Sequence, residues 1–172
     1  FDIACIKIEI KNNNKFIAKY DVKSQRNFNA IESETRNLQY LNKIFNFFPK
    51  LINFNKNCLI IEFYENDQNK PTNTNLDFLE SIIKIHNVSN NVYGFEFNTQ
   101  IGALEQLNEF DSSWTNFYSN KRLYPIFELA NKRENMGDFI NKKINYILQN
   151  IKNFIPENPT PQLLHGDLWE GN

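Results

Sequence analysis

Glycine is scarce in this chain: there are five in 172 residues and none before Gly94. The first half therefore carries no glycine-rich loop of the kind that cradles phosphates. Two cysteines exclude a disulfide-dense scaffold. Cys5 and Cys58 both lie in apolar, strand-like runs and are expected to be buried thiols in a reducing compartment. No apolar run approaches the length of a membrane span, and no signal peptide is present. A net charge of -1 argues against general affinity for nucleic acid or anionic membranes. The chain reads as cytoplasmic and soluble. Its single Met is Met136, and residue 1 already lies in a strand-like run. These features, with an ending inside a motif, suggest a piece of a longer protein.

What the chain does have is apolar bulk. Hydrophobic residues make up 41% and aromatics 15%, with 16 Phe, enough for a sizeable core. From Ile3 to Ile10, Lys7 and Glu9 alternate against Ile6, Ile8 and Ile10, the pattern of a half-buried strand. Asn12-Asn13-Asn14 supplies a turn, and Phe16–Tyr20, which contains Lys19, reads as the returning strand. Ile31, Thr35, Leu38, Leu41 and Phe45 form a helical stripe, capped by Asn27 or Asn29, with Glu34 beside it. Two short strands follow, 51–54 and 58–63. The second is apolar on both faces, as a central strand would be. Composition then shifts over Glu65–Asn75, where Pro71 breaks any helix, as in a hinge.

Beyond the hinge the pattern is helical. Leu76, Leu79, Ile82, Ile83 and His86 share one face, with His86 read as a packed helix-end histidine. A loop with Gly94 and Gly102 precedes a long helical stretch over 111–133, interrupted by Pro125 and capped by Asp111 or Ser112. Gly137 and Asp138 open another helix that buries Phe139, Ile140, Ile144, Ile147, Leu148 and Ile151. Pro156, Pro159 and Pro161 end it. The abundant asparagines read as compositional drift without an assignable role.

The chain closes on Leu163-Leu164-His165-Gly166-Asp167-Leu168-Trp169-Glu170-Gly171-Asn172. Protein kinases place an Asp and an Asn at this spacing in the catalytic loop, where a base and a metal ligand must converge on one phosphoryl group. Gly166 stands where protein kinases have Arg, which points to a small-molecule acceptor. The closing decapeptide resembles the fructosamine (ketosamine) kinase family, whose loop usually reads His-Gly-Asp-Leu-Trp-Ser-Gly-Asn. A second block resembles the same family: Tyr93-Gly94-Phe95, Thr99, Gly102, Gln106, Asn108, Asp111, Trp114, Phe117-Tyr118 and Arg122-Leu123. Phe16-Ile17-Ala18-Lys19 and Glu32-Ser33-Glu34 are similar to its phosphate-lysine strand and helix glutamate.

The resemblance implies an α+β, bilobal protein-kinase-like fold. Residues 1–63 would form an N-terminal antiparallel sheet lobe, and 64–172 an incomplete helical lobe ending at the catalytic loop. It further implies ATP- and Mg2+-dependent phosphorylation of the 3-hydroxyl of ketoamines, sugar adducts of free or protein amines, as deglycation repair. By position, Asp167 resembles the catalytic base, Asn172 a magnesium ligand, Lys19 the phosphate lysine and Glu34 its partner. Glu62, Phe63 and Tyr64 resemble the adenine hinge, and Trp169 is placed to pack on the sugar ring. Two departures stand out: Glu170 replaces the usual Ser, and the second metal-binding Asp of kinases would lie beyond Asn172. The alternatives are another small-molecule kinase, of the aminoglycoside or choline type, and a non-catalytic pseudokinase fragment.

Overall fold

The computed structural model describes residues 3–22, 28–65, 76–102 and 104–168. The chain divides into two compact units: Phe1–Lys70 with Thr99–Glu105, and Pro71–Asn98 with Gln106–Asn172. The return of 99–105 to the first unit interrupts what the sequence presents as one continuous second region.

The first unit is built on an antiparallel sheet of strands β1 (Ile3–Glu9), β2 (Lys15–Asp21), β3 (Leu51–Asn55) and β4 (Cys58–Glu62), in the order β1-β2-β4-β3. The β1–β2 turn passes through Asn13 at φ 59°, a left-handed conformation that Asn tolerates better than most residues. At the β3–β4 turn the Asn55 carboxamide accepts from the Asn57 and Cys58 amides, both at 2.9 Å, a side-chain mimic of a backbone turn. Helix α1 (Ala30–Ile44) begins at Asn29, whose side chain accepts from the Glu32 amide at 3.0 Å. Asn29 also donates to the Lys56 carbonyl, and Asn42 bridges the Pro49 carbonyl and the Leu51 amide. Asparagines thus tie both ends of α1 to the β3–β4 hairpin, a role that the sequence reading left unassigned.

Between helix and sheet lies a core of Ile31, Leu38, Leu59 and Ile61, flanked by Ile3, Ile17 and Leu51. The expectation of a central strand at 58–63 holds, since β4 lies between β2 and β3 and carries the fully buried Leu59. For β1 the expected faces are reversed. Ile3 joins the core under α1, so Cys5, Lys7 and Glu9 share its side, and Ile6 and Ile8 point to the other face. Ile6 and Ile10 are accordingly exposed. The Cys5 thiol is exposed and that of Cys58 half-buried, both free, which corrects the expectation of two buried thiols. The cause is position: β1 is an edge strand, and α1 packs over β2, β3 and β4. A small ribbon pairs β5 (Thr99–Ile101) with β6 (Leu104–Gln106), with Gly102 (φ 57°) directly after β5, and β5 lies against α1.

In the second unit, α2 spans Leu76–His86. Ile85 is its buried residue, whereas Leu76, Leu79 and Ile83 of the expected face are exposed. Helix α3 (Trp114–Tyr118) is capped by Ser113 rather than Asp111 or Ser112. Asp111 instead accepts from the Ser113 amide at 2.7 Å and orients the cap. A π turn, Ser119–Leu123, leads into α4 (Tyr124–Arg133). Pro125 therefore sits in the first turn of α4, directly after the π turn in one continuous helical run, where its missing N–H removes a helical bond. Helix α5 (Gly137–Gln149) leaves Phe139, Ile140 and Ile147 exposed, and Ile151 beyond it is buried. Periodicity identifies an apolar face but not what covers it. Among the described residues no helix is long and apolar enough to cross a membrane.

Leu59 sits at the centre of the core with no exposure. Its replacement in Leu59→Ala is expected to destabilise the first unit by about 2–5 kcal/mol, read as a lower midpoint in urea unfolding.

Candidate functional site

In the antiparallel register Lys19 lies opposite Leu59 on β4 and Cys5 on β1, so its side chain leaves the sheet on the α1 side. Glu34 is on α1, between the core residues Ile31 and Leu38. The Lys19 ammonium donates to Glu34 Oε1 at 2.6 Å. The two side chains are 27% and 25% exposed, covered enough to be held yet open to a ligand. This is the pair that the sequence picks out from residues fifteen apart, and the fold brings it into direct contact.

Glu62 ends β4, and its amide is held by the Lys50 carbonyl at 2.9 Å. Phe63 and Tyr64 follow in irregular backbone. The Lys7 ammonium stands 4.3 Å from the Phe63 ring centroid, within cation–π range. Tyr64 donates its hydroxyl to Glu62 Oε2 at 3.0 Å. That hydrogen bond to a carboxylate favours the protonated phenol and raises the Tyr64 pKa above its ordinary value. Of the hinge region expected at 65–75, residues 66–75 lie outside the described residues.

In the second unit, Asp167 is exposed and follows Gly166, whose φ of 83° favours glycine. The Asp167 amide approaches His165 Nδ1 at 3.4 Å. The segment is thus a tight turn that presents a carboxylate. Trp169 and Asn172, the expected sugar-packing and magnesium residues, lie outside the described residues.

The structure adds a polar knot that residue-by-residue reading missed. Tyr93 and Asp111 exchange backbone hydrogen bonds at 2.9 Å. Asn108, almost fully buried, accepts at its backbone from the Phe95 amide and donates its carboxamide to the Phe97 carbonyl. Arg122 donates to the Leu107 carbonyl at 2.5 Å and to the Asn108 carboxamide oxygen at 2.6 Å. Its guanidinium lies 4.6 Å from the Phe117 ring centroid. Burial lowers the Arg122 pKa from its ordinary value, though arginine remains charged in this setting. Glu109, beside Lys121, titrates below an ordinary glutamate because that ammonium hydrogen-bonds its carboxylate. The only advance signal for this knot was the second motif block, which contains Gly94, Asn108, Asp111, Phe117 and Arg122.

The fructosamine kinase family model matches residues 3–172. The chain is 41% identical over 85 residues to protein-ribulosamine 3-kinase, chloroplastic, of Arabidopsis thaliana, covering 46% of this chain and 24% of that protein. It is 31% identical over 80 residues to ketosamine-3-kinase of Mus musculus, covering 46% of this chain and 26% of that one. The crystal structure of a protein assigned as a fructosamine-3-kinase from Thermobifida fusca superposes with a TM-score of 0.84 at 20% identity. That match covers 100% of this chain and 60% of the other. At this identity the likeness establishes the kinase-like fold, in agreement with the expected fold class. The matches to the plant and mouse relatives span about a quarter of the length of each.

Gly94 offers a direct check on the knot. At φ 119° it adopts a conformation foreign to L side chains, and a Cβ there would stand 2.7 Å from the Asn108 carbonyl oxygen. Gly94→Ala is expected to cost at least about 1–3 kcal/mol, measured by denaturant unfolding, with loss of protection at the Phe95 amide in hydrogen exchange.

Proposed function

The chain belongs to the fructosamine kinase family, and from that premise we propose that the protein transfers the γ-phosphoryl group of ATP to the 3-hydroxyl of ketoamines. The acceptors are fructosamine- and ribulosamine-type adducts of free or protein amines, and the outcome is deglycation. The observation that carries the reading is the 2.6 Å contact between Lys19 and Glu34. A half-buried lysine held by a helix glutamate suits nucleotide phosphates: the carboxylate fixes an ammonium that carries three donors.

In this reading Lys19 binds the α- and β-phosphates and Glu34 orients it. The backbone at Glu62, Phe63 and Tyr64 pairs with adenine, a role that depends on position rather than side-chain type. Asp167 accepts the proton of the attacking hydroxyl. An exposed carboxylate on a tight turn suits that task, because the turn beside Gly166 projects it toward solvent, where an acceptor hydroxyl can approach. Asn172 supplies a carboxamide oxygen for Mg2+ and Trp169 an apolar face for the sugar ring. The donor chemistry fits the ion, since Mg2+ prefers hard oxygen ligands and takes several of them from nucleotide phosphate and water. When bound, the ion neutralises charge on the transferring group. Lys19 shares that work by holding positive charge where negative charge gathers. Division of the chain into a nucleotide-binding part, residues 1–63, and a catalytic part, 64–172, belongs to the same proposal.

The test uses the full-length protein with ATP, Mg2+ and a panel of ribulosamines, fructosamines, choline and aminoglycosides. Phosphate is expected on ketoamines alone, and Asp167→Asn is expected to lower turnover by roughly 10²–10⁴-fold with the protein still folded. Transfer confined to choline or aminoglycosides would move the assignment to another acceptor class. Undiminished turnover in Asp167→Asn would remove Asp167 as the base.

A further inference from the structure

The segment that leads into the His165–Asp167 turn is built to be held by others. Pro159 and Pro161 lack backbone N–H groups, so this stretch can offer mainly acceptors. Those acceptors are met from one place, the short run Val88–Tyr93 that follows α2. The Asn90 amide donates to the Pro161 carbonyl at 3.0 Å, and the Leu163 amide donates back to Val88 at 2.8 Å. Ser89 and Gln162 form an isolated antiparallel bridge. The Tyr93 hydroxyl donates to the Pro159 carbonyl at 2.5 Å, which makes it the side-chain tie in an otherwise backbone seam.

Tyr93 is itself firmly placed. It is 8% exposed, its ring lies 5.3 Å from that of Trp114, and its backbone pairs with Asp111. Asp111 also orients Ser113, the cap of the helix that carries Trp114. The hydroxyl therefore couples the motif block at 93–122 to the segment that leads into Asp167. Chemical geometry rewards such coupling, because a general base displaced by a fraction of an ångström loses much of its effect.

We propose that Tyr93 is a positioning residue for phosphoryl transfer: through Pro159 it holds the 159–163 segment and so fixes the Asp167 turn. The proposal rests on the reading of Asp167 as the base. Tyr93→Phe keeps the ring and its contact with Trp114 and deletes one hydrogen bond, so it is the variant to make in the full-length protein. Turnover on a ribulosamine is expected to fall about tenfold, the scale of one hydrogen bond. KM for ATP and for the ketoamine should stay within about twofold and the melting temperature within a few degrees. In an Asp167→Asn background the same change should produce no further loss, because the hydroxyl acts only through the base. Unchanged turnover in Tyr93→Phe overturns the proposal. A loss confined to KM, or one that tracks the unfolded fraction, also overturns it, as does an additive loss in the double variant. Turnover retained by Asp167→Asn alone instead removes the base reading, and the proposal with it, whatever Tyr93→Phe does.

Discussion

The ion pair between Lys19 and Glu34 is the constraint on which the reading of the first unit depends. Its two residues come from different elements, a sheet strand and the helix laid over it. Their meeting is a consequence of packing. Ile31 and Leu38 seat α1 on Leu59 and Ile61, and Glu34 lies between those two anchors, while Lys19 is the cross-strand neighbour of Leu59. A shift of one residue in the β2–β4 register would turn Lys19 to the opposite face. The pair is about a quarter exposed, so its contribution to stability is small. In the proposed function its value is preorganisation, an ammonium fixed before a nucleotide arrives.

Polar side chains do comparable work where the backbone is irregular. Loops bring carbonyls and amides that no ladder satisfies, and each needs a partner when buried. Asn29, Asn42 and Asn55 supply those partners around α1 and the β3–β4 hairpin. In the second unit Asn108 and Arg122 do so at the Phe97 and Leu107 carbonyls. Among the described residues the Ser33 and Thr35 hydroxyls of α1 are buried without a hydrogen-bond partner. The second unit is thus organised less by a continuous apolar core than by a series of specific ties.

Much of the first unit was legible because its signals are local. Alternation, turn asparagines and a helical stripe identified the four strands and α1 to within a few residues, and the Lys19–Glu34 pairing followed from resemblance to the family. The face of β1 was misread because alternation alone cannot say which side a helix will cover, and at this edge the charged residues share the helix side. Cys5 was misjudged for the same reason. In the second unit helix positions were legible but their burial was not. A stripe such as Phe139, Ile140 and Ile147 records an apolar face, and only tertiary contacts decide its exposure. The ribbon β5–β6, the π turn and the Arg122–Asn108 knot left no periodic trace, and the motif block signalled a constraint there without revealing its form.

The central claim is that Lys19, held by Glu34, serves nucleotide phosphates. The most direct measurement is the steady-state rate of ketoamine phosphorylation against ATP concentration for the full-length protein, Lys19→Met and Glu34→Gln. The account requires kcat/KM for ATP to fall by at least about a hundredfold in Lys19→Met, as loss of a charge held on the transferring phosphates implies. Glu34→Gln should lose less, because the ammonium remains but is no longer fixed. If both variants match the wild type while remaining folded, the pair is structural, and the assignment of the first unit as the nucleotide-phosphate holder is wrong.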